Sequence, residues 1–154
     1  MASFIISQPM PDRFEHHLRE AIETLGYYRI DALEQLLAMY RDRWPRGLSS
    51  SMFRLSEIQP LLSEKGLSDP YHVQKATHLR AYFNLSREQF DDQEPHWSQL
   101  TSQVTFAACG QWLCEDARRL NGAVMPAGDR WPLPLPECAQ EWCPCRWDLV
   151  TDPL

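Results

Sequence analysis

The chain has 154 residues and a formal charge of −6, with 44% hydrophobic and 23% charged residues. A chain of this length suits one domain, or one domain with a small appendage, and buries a core without covalent staples. The composition excludes wholesale disorder. The charge disfavours nucleic acid as a partner: residues 1–92 carry 11 basic and 13 acidic groups, and residues 93–154 carry 4 and 8, so neither part offers the clustered cations that phosphate needs.

The opening run M-A-S-F-I-I-S-Q has no charged start and too short an apolar stretch for a secretion signal. No segment approaches the ~20 apolar residues of a bilayer span. The expectation is a cytoplasmic protein, not a membrane one, in which thiols stay reduced.

In chain order, the first 92 residues read as short helices. Asp12 followed by Glu15 is a capping-box pattern, and Phe14, Leu18, Ala21, Ile22 and Leu25 then recur at helical spacing up to Gly26. Asp31 and Glu34 repeat the capping signal ahead of Leu33, Leu36, Leu37 and Tyr40, and Trp44–Ser51 reads as a loop. Ser56 is expected to open a third helix carrying Ile58, Leu61 and Leu62, with Pro60 in its first turn and its end at Gly66. Ser68-Asp69-Pro70 opens a fourth, carrying Val73, Ala76, Leu79 and Phe83, with Asn84 as a left-handed stop. Ser86 and Gln89 open a short fifth through Phe90.

Asp91-Asp92-Gln93-Glu94-Pro95 is the boundary candidate, dividing a helical bundle (1–92) from a Cys/Trp-rich segment packed on it (93–154). Five of the six tryptophans and all five cysteines follow it. Ser98–Leu120 reads as one helix interrupted at Gly110; the alternative is a strand over Gln103–Ala107 feeding a helix over Gln111–Leu120. Asn121-Gly122 ends the helix. Prolines at 126, 132, 134 and 136 require extended loop.

Thiols this crowded in a reduced compartment point to a metal. Structural zinc takes four ligands in a tetrahedron. Cys143-Pro-Cys145 puts two thiolates on a stiff turn, Cys138 lies just upstream, and the proline-rich loop is long enough to return to Cys114. The expected ligands are Cys114, Cys138, Cys143 and Cys145. Cys109, five residues before Cys114 on a helix, would diverge by roughly 140° and stands as a substitute. The usual C-x-x-C knuckle is absent. Small buried thiols in a tryptophan-rich core, or a disulfide or redox pair, remain the alternatives. A catalytic thiol would need a base, and no histidine lies inside the Cys-rich part.

The run Cys114-x-x-Ala117-x-x-Leu120-Asn121-Gly122, followed by P-L-P-L-P-E-C-x4-C-P-C-R-W, resembles the C-terminal motif of a group of small uncharacterised bacterial proteins. A looser resemblance is to the tail of phage head-morphogenesis proteins of the Mu minor-head type. Both cover residues 114–147 alone and imply a metal-stapled or thiol-rich fold-back, with Cys114, Cys138, Cys143 and Cys145 at the matching positions. The chain lacks the histidine of the phage tail, and it has Asp148-Leu-Val-Thr-Asp-Pro-Leu where the bacterial group has D-R-R.

Leu79–Phe90 also has the layout of a helix-turn-helix, which makes a DNA-binding regulator built on residues 73–92 an alternative. Its recognition helix would offer Arg87 alone and run into Asp91-Asp92, where an ordinary helical corner is the plainer reading. Paired carboxylates (Glu20/Glu23, Glu115/Asp116) read as partners of nearby arginines rather than acid–base groups. There is no P-loop, G-x-G-x-x-G, G-x-S-x-G or H-E-x-x-H. Trp131, Trp142 and Trp147 either plug the core over the metal or, with Arg146, form an aromatic anchor for another protein.

The chain therefore reads as mostly α-helical with a zinc-stapled C-terminal segment. Its expected role is a non-enzymatic interaction or regulatory adaptor module. A phage-derived structural protein is a further alternative.

Overall fold

A computed structural model describes residues 9–44, 52–110 and 113–151. The protein is mostly helical with one small antiparallel sheet. The chain divides into two compact units, Met1–Tyr82 and Phe83–Leu154.

In the first unit, α1 (Asp12–Leu25) buries Phe14, Leu18, Ala21, Ile22 and Leu25, the stripe that the spacing predicts, and ends at Gly26 with φ 67°. Only a residue without a Cβ takes that backbone angle without strain. The expected capping box does not form. Pro11 is the N-cap, and the Glu15 carboxylate pairs with Arg41 instead. A 3-10 turn over Ile30–Ala32 leads into α2 (Leu33–Arg43), whose Leu33, Leu36, Leu37 and Tyr40 are buried. Here Glu34 likewise pairs across to Arg19 at 2.7 Å rather than capping. The Trp44–Ser51 loop lies outside the described residues after Trp44.

The single third helix expected from Ser56 to Gly66 is three pieces: α3 (Leu55–Ile58), a 3-10 turn over Gln59–Leu61 and α4 (Glu64–Leu67). The break falls at Leu62, which leaves the helix to form a bridge with Tyr28. Ser63 N–H then donates to the Tyr27 carbonyl at 2.9 Å, and the Ser63 hydroxyl caps α4 by accepting from Gly66 N–H. Buried Gln74 holds Phe53 as a neighbouring strand would: its side-chain amide accepts from Phe53 N–H and donates to Phe53 C=O, both at 3.0 Å.

α5 runs unbroken from Pro70 to Asp92. The Asp69 side chain caps it, accepting from His72 N–H at 3.1 Å. Asn84 is not a stop, and Ser86 opens no new helix. The expected corner, and with it the turn of the alternative helix-turn-helix reading, is therefore absent, because Asn84 turns its side-chain oxygen to Arg87 one turn on, at 2.5 Å. A polar residue with a partner on its own helix face has no reason to end that helix.

In the second unit, α6 (Glu94–Trp97) follows. The expectation of one helix from Ser98 to Leu120 is overturned. β1 (Gln103–Ala107) and α7 (Glu115–Leu120) form instead, with Gly110 at φ 106° between them. Val104, Thr105 and Phe106 are β-branched or aromatic, and alternate buried with half-buried, the pattern of a pleated surface with one covered face. Beyond Gly122 come β2 (Val124–Pro126), a 3-10 turn over Ala127–Asp129, the proline loop, and β3 (Arg146–Leu149). The sheet order is β2-β1-β3, antiparallel throughout. The strand at Arg146–Leu149 carries Trp147 buried on its inner face. Pro126 sits on an edge strand, where a missing N–H costs no ladder bond.

Candidate functional site

The second unit's core gathers Trp97, Val104, Phe106, Ala117, Leu135, Cys143, Cys145 and Trp147, with Cys114, Cys138 and Trp131 partly buried against them. Phe106 belongs to an aromatic trio whose rings form a triangle: Phe106 stands 5.8 Å from Trp131 and 5.5 Å from Trp147, and those two rings are 5.5 Å apart. Register sets this up, since Phe106 pairs with Trp147 across β1 and β3, bringing both rings to one face. The Trp147 indole N–H donates to Trp131 C=O at 3.2 Å, which satisfies its one polar atom.

Four of the five cysteines meet beside this trio. Cys143 shares side-chain hydrogen bonds with both Cys138 and Cys145, and Cys114 acts on Cys138 and Cys145 electrostatically. Cys109 stands apart, exposed and against Arg146. The separation has a different cause from the expected one. Cys109 and Cys114 do not share a helix: Cys109 follows β1, and Cys114 is the N-cap of α7, its carbonyl accepting from Arg118 N–H at 3.2 Å.

The three linked thiols titrate as a set. A hydrogen bond from Cys145 favours the Cys143 thiolate, the Cys145 backbone N–H and the nearby Arg87 charge add to it, and together they pull Cys143 below an ordinary thiol. Donating that bond, together with burial, pushes Cys145 up, and burial pushes Cys138 up. Among the described residues, no three His, Cys, Asp or Glu side chains make a ready-formed metal site.

The turn carrying Cys143 and Cys145 is held from α5. The Arg87 guanidinium donates to Cys143 C=O at 2.5 Å and to Cys145 C=O at 3.2 Å. Beside it, Arg130 donates to Glu94 at 2.7 Å and to Asp91 at 3.1 Å, with its guanidinium 5.5 Å from the centre of the Trp97 ring. Between these groups opens a groove of about 700 Å³, lined along one side by all four residues of β3. Its charged lining is three arginines and three carboxylates, and each arginine has a carboxylate or carbonyl partner.

Of the expected partner-binding residues, Trp142 is 8% and Trp147 6% exposed, so both are core residues, while Trp131 is half-buried and Arg146 exposed. Trp131, Arg146 and Trp147 line the groove. Arg87 is the site residue that the sequence reading placed elsewhere, as a DNA contact. Its tie to residues 143 and 145 is a long-range contact with no local signal.

Comparison with protein-family models, characterised proteins and solved structures gives no match. Among the described residues, no helix is long and apolar enough to cross a membrane.

Proposed function

We propose that the chain is a non-enzymatic adaptor whose second unit is stapled by one zinc ion and docks a partner protein. The observation that carries the reading is the convergence of free thiols in one core: Cys143 and Cys145 are buried there, and Cys114 and Cys138 pack against the same cluster. Zinc favours the thiolate form, and deprotonation lets all four sulfurs turn lone pairs inward in place of mutual hydrogen bonds. Cys114 stands at the start of α7, as its N-cap. With the staple closed, the aromatic trio and the groove beside it are fixed, and a docking surface gains from being held in advance.

The test counts metal in freshly purified, reduced protein by native mass spectrometry. One zinc per chain is expected, kept in Cys109→Ser and lost in Cys143→Ser. Metal-free protein whose melting is unmoved by chelator would overturn the staple. For the partner, the likeness of residues 114–147 to phage head-morphogenesis tails makes capsid and portal components the first candidates. Co-sedimentation with them, weakened by Arg146→Glu, supports that choice.

A further inference from the structure

The groove beside β3 has the chemistry of a slot for an added strand. In the β1–β3 ladder, Val150 N–H donates to Gln103 C=O at 3.2 Å, which fixes the alternation. Asp148 and Arg146 then turn their backbone groups to β1, and Trp147 and Leu149 turn theirs outward. Phe106 confirms the phase from the other side, exchanging backbone hydrogen bonds at 2.8 Å with the Gly122–Ala123 turn and not with β3. Among the described residues no backbone partner meets the outward N–H and C=O groups of Trp147 and Leu149, and both residues line the groove. The opposite edge of the sheet is blunted by Pro126 in β2; β3 carries no proline.

Charge narrows the occupant. The groove is lined by three arginines (Arg87, Arg130, Arg146) and three carboxylates (Asp91, Glu94, Asp148). Arg130 is paired with Asp91 and Glu94, and Arg146 with Asp148, so the walls offer no net charge. The apolar contacts on offer come from Trp131, Trp147 and Leu133.

We infer that the groove binds an uncharged, extended peptide segment of a partner protein as a fourth strand on β3, with apolar side chains at alternate positions. Backbone hydrogen bonds to Trp147 and Leu149 give the affinity, and the aromatic wall reads every second side chain. This rests on the adaptor reading and specifies what the adaptor grips.

The experiment pans a displayed library of random dodecapeptides against the full chain and measures recovered peptides by fluorescence anisotropy. Sequences with alternating apolar residues and no net charge are expected. Each is then resynthesised with N-methyl groups at alternate amides, in both phases. One phase should weaken binding at least tenfold and the other leave it within twofold, because only every second N–H reaches β3. Leu149→Pro, which deletes an outward N–H on an edge that tolerates proline, should weaken binding comparably. If that variant does not fold, the methylated peptides decide alone. Equal tolerance of both methylation phases, unaltered binding by folded Leu149→Pro, or recovery of no binding peptide overturns the inference. In those cases co-sedimentation that still depends on Arg146 leaves the adaptor reading standing, and the zinc count tests the staple separately.

Discussion

Arg87 reaches from α5 to the carbonyl oxygen of Cys143 at 2.5 Å, so one side chain ties the long helix to the thiol-bearing turn. The same guanidinium also serves Cys145 C=O and the Asn84 side chain. Three acceptors suit a planar, forked donor better than a compact ammonium on a flexible stem. Arg87→Ala should lower the stability of the second unit by about 1–3 kcal/mol, the worth of charge-assisted bonds to part-buried acceptors. Arg87→Lys should recover less than half of that. Denaturant unfolding followed by tryptophan fluorescence reads both; wild-type stability in either variant would show that the turn holds itself.

Phe106 is buried and touches both Trp131 and Trp147. Phe106→Ala removes one ring of the trio and should cost about 3–5 kcal/mol, enough to unfold a marginal unit. Loss of the near-ultraviolet circular dichroism of the tryptophans would accompany it.

Gly66 tests a close approach of two backbones. A Cβ built there would lie 2.1 Å from the Tyr27 carbonyl oxygen, which the Ser63 N–H also holds. Gly66→Ala should destabilise the first unit by about 1–3 kcal/mol. Gly128→Ala, with nothing within 4 Å of the added carbon, should stay within about 0.5 kcal/mol of wild type. Equal melting of the two variants would contradict the packing at Gly66.

Acid should unfold the protein through its arginine-paired glutamates. Arg41 beside Glu15, Arg43 beside Glu57 and Arg130 beside Glu94 hold these carboxyls below the ordinary glutamate value of 4.5. Because the folded values are depressed, the unfolded chain takes up protons first as pH falls. The contribution is therefore complete above about pH 4.5 and lost as pH drops through the folded values. All three pairs are near solvent, so salt should shrink the effect. Urea midpoints between pH 7 and pH 3, with Glu15→Gln and Glu94→Gln flattening the decline, measure it.

Chelation gives a reading on the second unit alone. With Trp142 and Trp147 buried in the same unit as the thiols, removal of a stapling ion should shift tryptophan emission to the red and lower the melting temperature. Cys109→Ser should respond as wild type does. An identical response from Cys138→Ser would remove Cys138 from the ligand set.

The apolar stripes of α1 and α2 were legible because a buried helix face writes its period directly into the sequence. The capping pairs were misleading, since Glu15 and Glu34 have the right spacing for a box but stronger partners in Arg41 and Arg19. The continuity of α5 was hidden by Asn84 and Ser86, residues that end helices only when nothing on the helix engages them. β1 was visible as an alternative, but a five-residue strand next to a helix-compatible run cannot be separated by period alone. At the site, the sequence left the tryptophans open between core and docking surface, and the structure buries Trp142 and Trp147. Their proline neighbours suggest loop, and only pairing of β3 with β1 draws Trp147 inward.

The central strand takes its two neighbours from very different distances along the chain. β2 begins within about twenty residues of β1, whereas Phe106 and Trp147 are about forty apart. The near pair can close early and cheaply, but the far one must wait for a long loop to find its place. Assembly of this unit should therefore lag behind the helical first unit, with the last strand and the sulfur cluster arriving together as its final event.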